Sequence, residues 1–146
     1  MSLLSFVKEA GEKLLNALTG SDSAQAAESL KEHVKQVGLD NSKVSVAVDG
    51  DKVTATGTVD TQEEKEKILL ALGNVVGVST VDDQITVVTV AAVARFVTVK
   101  KGDTLSAISK AEYGDPNKYQ KIFEANKPLL SSPDKIYPGQ VLRVPE

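Results

Sequence analysis

From residue 3 to residue 18, Leu3, Phe6, Val7, Ala10, Leu14, Leu15 and Leu18 recur at intervals of three and four, the spacing of one helix face, with Gly11 as an interruption. This predicts an amino-terminal amphipathic helix within residues 1 to 20. The small polar stretch TGSDSAQAA, 19 to 27, reads as a turn or short linker. A second stripe, Ala27, Leu30, Val34 and Val37, predicts a helix that stops at Gly38. The period then shortens to two. VSVAVDG and DKVTATGTV alternate apolar and polar positions on either side of Asp49 and Gly50, which is a hairpin pattern. Thr61 followed by Glu64 forms a capping box for a third helix. Ile68, Leu69 and Leu72 are its apolar face, EEKEK at 63 to 67 its solvated side, and Gly73 its end. After GNVVGV a strand is expected from Ser79 to about Val90, so residues 24 to 90 read helix, strand, strand, helix, strand.

TVAAVA, 89 to 94, is a bridge of small residues, and the pattern beyond it starts afresh. A strand over 96 to 100 leads to a helix capped by Asp103, with Leu105, Ile108 and Ala111 facing inward. Asp115-Pro116 opens another helix, which buries Tyr119, Ile122 and Phe123 and ends at Lys127-Pro128. A last strand over 140 to 144 pairs antiparallel with the first.

In the first half, Gly57, Gly77, Val78 and Val81 stand in the arrangement G-(x)n-GVxxVxDxI, which resembles the BON domain. In the second, VTVKKGDTL (97 to 105), Ile108, Tyr113-Gly114, Ile122, Asn126 and IYPGQVLRVP (136 to 145) resemble the LysM domain. Val97 departs from that pattern, where tyrosine is usual, and Phe96 beside it points to the opposite face of the strand. The expected architecture is α+β in two small domains. A BON domain (αββαβ) over 24 to 90 is followed by a linker over 91 to 95 and a LysM domain (βααβ) over 96 to 146.

Composition narrows the chemistry. Seventeen basic against twenty acidic residues, a net charge of -3, give no basic footprint for nucleic acid. Cysteine is absent, which excludes disulfides, thiolate metal sites and cysteine nucleophiles. No apolar run approaches the ~18 residues of a membrane span. The first basic residue, Lys8, follows the apolar cluster, the reverse of an export signal. A cytoplasmic protein is therefore expected, and it is taken as a monomer. The balance of acids and bases over 3 to 18 also argues against a lipid-surface anchor. His33 is the one histidine and reads as a surface or packing residue. Asp49 and Asp51, and Asp82 and Asp83, are explained by turns and solvation and lack the spacing of a calcium loop. No catalytic set assembles, so no enzyme is expected.

The LysM resemblance implies binding of N-acetylglucosamine polymers between two loops. Gly102, Asp103, Thr104 and Leu105 would stand on one side, with Ile136, Tyr137, Pro138 and Gly139 on the other. Each also has a structural reading as a turn, cap or core residue. FVKEAGEKL, GNVVGVSTVDDQ, AISKAEYG and KIFEANKP extend the similarity over the whole chain, which resembles the cytoplasmic BON-LysM potassium-binding family. That resemblance implies a potassium ion as ligand and a LysM half retained as scaffold. Neutral carbonyl dipoles suit such an ion, whereas carboxylate cages favour calcium or magnesium. A helix end leaves carbonyls free, and a glycine-bent GNVVGV segment turns them inward. With the resemblance, the candidate carbonyls are those of Gly73, Val75 and Val78, with Gly77 permitting the bend. Val7 and Ala10, near the break at Gly11, are further donors. Without it, Gly73 is a plain helix cap and Val7 a core residue.

Overall fold

The computed structural model describes residues 2–6, 23–39, 42–49, 51–75, 78–89, 94–127, 129–130 and 132–145. Its first element is β1 (Ser2–Ser5), followed by α1 (Ser23–Gln36), the hairpin β2 (Val44–Asp49) and β3 (Lys52–Thr61), α2 (Gln62–Gly73) and β4 (Thr80–Thr89). These strands form one sheet in the order β1-β4-β3-β2. β2 and β3 are antiparallel. β3 and β4 run parallel, with Val53 opposite Val81, so the chain must cross over between them, and α2 is that crossover. Alternate strand residues Val53, Ala55, Val59, Val81 and Ile85 are buried in one core with Leu30 and Val34 of α1 and Ile68, Leu69 and Leu72 of α2. Gly57 of the BON-like pattern has φ 133°, and a Cβ there would lie 2.1 Å from the Lys43 carbonyl oxygen. The backbone itself therefore demands glycine at this crossing.

The second unit contains β5 (Arg95–Thr98), α3 (Leu105–Tyr113), a 3-10 turn (Pro116–Lys118), α4 (Tyr119–Ala125) and β6 (Val141–Val144). β5 and β6 pair antiparallel, with Phe96 opposite Arg143 and Val97 opposite Leu142. Val99, Leu105, Ile108, Ile122, Phe123, Leu130, Leu142 and Val144 make its core. The α+β reading and the two-part order of elements match expectation.

Several expectations need correction. Ser2–Ser5 is extended and pairs with Thr80 to Asp83 of β4, so the expected helix does not begin there; residues 7 to 22 lie outside the described residues. Leu4 packs on the BON core and Phe6 is buried in it, a spacing of two that belongs to a strand and not to the helical stripe, which pairs Leu3 with Phe6. The EEKEK run is not uniformly solvated. Glu66 is 1% exposed, and Lys65 reaches the buried Asp83 carboxylate at 2.8 Å. Asp83 also accepts the Ile85 amide hydrogen at 3.1 Å, so it is a tied core residue rather than a solvated one. Thr104, not Asp103, caps α3, accepting from the Ala107 amide at 3.1 Å, while Asp103 accepts from the Lys100 amide at 3.0 Å and closes the preceding turn. Ala111 and Tyr119 are exposed.

The cap on α2 is as expected. Thr61 Oγ1 accepts from the Glu64 amide at 3.1 Å. Thr61→Ala leaves that amide unsatisfied and is expected to cost about 1 kcal/mol, read from the midpoint of urea denaturation.

Candidate functional site

The described residues after α2 are held by four neighbours. Gly73 is still helical, and the cap is Asn74, whose amide donates to the Leu70 carbonyl at 2.9 Å. Glycine is required at position 73 for a different reason: a Cβ there would fall 2.0 Å from Cζ of Phe6. The Phe6 ring thus rests on the end of α2, and its amide donates to the Ser79 carbonyl at 2.9 Å. The Asp51 carbonyl, at the hairpin, accepts from the amides of Ser79 (2.9 Å) and Thr80 (3.4 Å). Val75 and Val78 are fully buried, which anchors the segment from beneath.

One candidate carbonyl already has a partner, since Val75 accepts from the Val78 amide at 3.1 Å. A carbonyl oxygen carries a second lone pair, so this bond does not exhaust it. Val7, Ala10 and Gly77 lie outside the described residues. Among the described residues no three His, Cys, Asp or Glu side chains converge as a metal site.

The fourth neighbour of this segment comes from the other unit. The Asn74 side-chain amide donates to the Val141 carbonyl at 2.9 Å and accepts from the Val141 amide at 2.9 Å. Val141 opens β6, a strand buried along its whole length. Strand side chains alternate, and here both faces are occupied. Leu142 and Val144 enter the LysM core, while Val141 joins the BON core, against which Phe96 of β5 also packs. Arg143 lies on the same side as Val141. Its Nε donates to Glu66 Oε1 at 3.0 Å, and its Nη2 lies 2.9 Å from that oxygen. Glu66 Oε2 accepts from Gln62 (2.9 Å) and from the Ala94 amide (3.1 Å), so the buried carboxylate is satisfied on both oxygens. Sequence reasoning missed this seam. The available signal was VLRV itself: in a two-stranded sheet only one face needs to be apolar, and here the other carries Val141 beside an arginine. Next to the seam, His33, Asn74, Lys135, Tyr137 and Gln140 line a cleft of about 190 Å³.

The glycan-site residues are only partly brought together. Thr104 and Leu105 line a groove of about 250 Å³ with Ser106, Tyr119, Pro133 and Asp134. A hydrogen bond from the Ser132 hydroxyl holds the Asp134 carboxyl below its ordinary range. Gly102 sits at the turn before the groove with φ 86°, and Asp103 is engaged in that turn. Ile136 packs on the LysM core, whereas Tyr137 lines the cleft between the units.

A BON domain model matches residues 21–89 and a LysM domain model matches residues 97–145. Over 148 aligned residues, all of this chain and 99% of the relative, the sequence is 55% identical to a protein of Escherichia coli O6:H1 named potassium binding protein Kbp. An uncharacterized protein of Deinococcus radiodurans is 34% identical over 138 residues, 85% of this chain and 53% of that protein. The protein YqbP of Bacillus subtilis is 40% identical over 58 residues, 34% of this chain and 26% of its own length.

Proposed function

Because the chain belongs to the family of the potassium binding protein Kbp, with a BON and a LysM domain in succession, we propose that it binds potassium reversibly through main-chain oxygens. The observation that carries this reading is identity over the full length of that relative rather than over one module. The donors are the carbonyls of Gly73, Val75 and Val78, joined by those of Val7 and Ala10. A large, weakly hydrated cation exchanges its water for such dipoles at small cost, and no side-chain charge is needed. The anchored backbone at Asn74 and the burial of Val75 and Val78 support the reading, because carbonyls already held in place lose less conformational entropy on closing around an ion. Binding ties the backbone of Val7 and Ala10, just past β1, to the end of α2 and shifts the population toward a compact form, in keeping with a cytoplasmic, monomeric ion sensor.

Melting in potassium, sodium and lithium chlorides at equal ionic strength tests this. A ligand bound only by the folded state adds RT ln(1 + [L]/Kd), about 2.7 kcal/mol at a hundredfold excess over Kd. A higher Tm in potassium alone is expected, and superimposable curves in the three salts refute the proposal.

The groove beside Thr104 favours a second reading, binding of N-acetylglucosamine oligomers. Tyr119 is exposed in that groove, so Tyr119→Ala is expected to abolish retention on chitin without moving the Tm by more than about 2 °C, the scale of a surface substitution. Retention that survives the substitution removes this reading.

A further inference from the structure

We infer that Asn74 is a positioning residue for the ion-binding segment, and that the main chain of Val141 in β6 sets how accurately its carbonyls are aimed. The inference rests on the potassium site proposed above. Asn74 stands between two of the proposed donors, Gly73 and Val75. Its amide bonds to Leu70, its side-chain oxygen accepts from Val141, and its side-chain nitrogen donates to Val141. These bonds anchor a backbone of φ -82° and ψ 53°, outside helical geometry. The φ of Asn74 orients the peptide plane carrying the Gly73 carbonyl, and its ψ orients the plane carrying its own. Fixing this one residue therefore fixes the directions in which carbonyls leave the helix end.

Asparagine is the shortest side chain that carries a donor and an acceptor on separate atoms, and here both reach one backbone residue 67 positions away. Alanine offers neither, and glutamine carries the same amide one methylene too far. A site of neutral dipoles tolerates little misalignment, of the order of 0.5 Å. If the aligned conformer is less populated, apparent affinity falls by the same fraction. Coupling is reciprocal, so an ion that holds the segment must also hold Val141.

The test titrates potassium, against sodium at equal ionic strength, into the full chain and its variants Asn74→Ala, Asn74→Gln and Ile122→Ala. Ile122 is a LysM core residue away from the segment, and its truncation supplies destabilisation without touching Asn74. Asn74→Ala and Asn74→Gln are expected to weaken potassium binding roughly tenfold, as for the loss of one to two net hydrogen bonds. Ile122→Ala is expected to lower the Tm and leave the affinity unchanged. In the unsubstituted protein, hydrogen exchange at the Val141 amide is expected to slow when potassium is added. Equal affinity losses at positions 74 and 122, or exchange at Val141 indifferent to potassium, overturn the inference while the ion site stands. An unsubstituted protein that does not distinguish potassium from sodium overturns the site itself, and the inference falls with it.

Discussion

Arg143→Ala is expected to lower stability by about 3–5 kcal/mol, the cost of leaving a buried charge without its partner. Glu66 is 1% exposed and Arg143 is 6% exposed. Besides Glu66, the Arg143 guanidinium donates to the Ala125 carbonyl at 2.8 Å. Truncation removes these bonds together and strands the Glu66 carboxylate in a low-dielectric setting. The 3.9 Å ion pair of Arg143 with the exposed Glu63 is lost in the same change and adds little to the cost. The pair Glu66→Leu with Arg143→Met is expected to recover much of the loss, because apolar side chains of similar size carry no desolvation penalty. Urea denaturation of the three variants distinguishes a stranded charge from a lost contact. If Arg143→Ala costs less than about 1 kcal/mol, water reaches the seam and the pair behaves like a surface one.

Gly73→Ala is the second large effect, and its sign depends on Phe6. In an isolated helix, alanine is favoured over glycine by about 1 kcal/mol. Here the new methyl overlaps the Phe6 ring, and overpacking of this kind costs about 1–3 kcal/mol. The net expectation is destabilisation. In a Phe6→Ala background, itself about 3 kcal/mol less stable, the same change is expected to become neutral or stabilising. A double-mutant cycle from thermal or urea unfolding measures this reversal. A Gly73→Ala cost that persists unchanged without Phe6 shows that the ring is not what excludes the side chain.

Much of the fold was legible because it rests on local periodicity. The stripe of Leu30 and Val34, the alternation across the hairpin and the Thr61 cap each declare themselves within a few residues. Where two local signals compete, the pattern alone does not choose. Asp103 and Thr104 are adjacent cap formers, and the extended backbone of Thr104 (φ -126°, ψ 163°) places its oxygen over the Ala107 amide. The short apolar cluster Leu3, Leu4, Phe6 suits a strand or a helix, and the free edge of β4 decides for the strand over Ser2–Ser5. Glu66 looks solvated from its charged neighbours in sequence, while its partner lies 77 positions away. The proposed ion donors are less legible still. Every residue carries the same carbonyl, so side-chain identity marks only the glycines that shape the path.

β6 completes both units at once, and this orders events during synthesis. A nascent chain that has emerged only as far as β5 already contains every element of the BON sheet, yet its Glu66 carboxylate faces no guanidinium and Asn74 no Val141. Closure of the seam must wait until residue 144 leaves the ribosome, so the first half is translated into a provisional state that the last strand converts into the finished one.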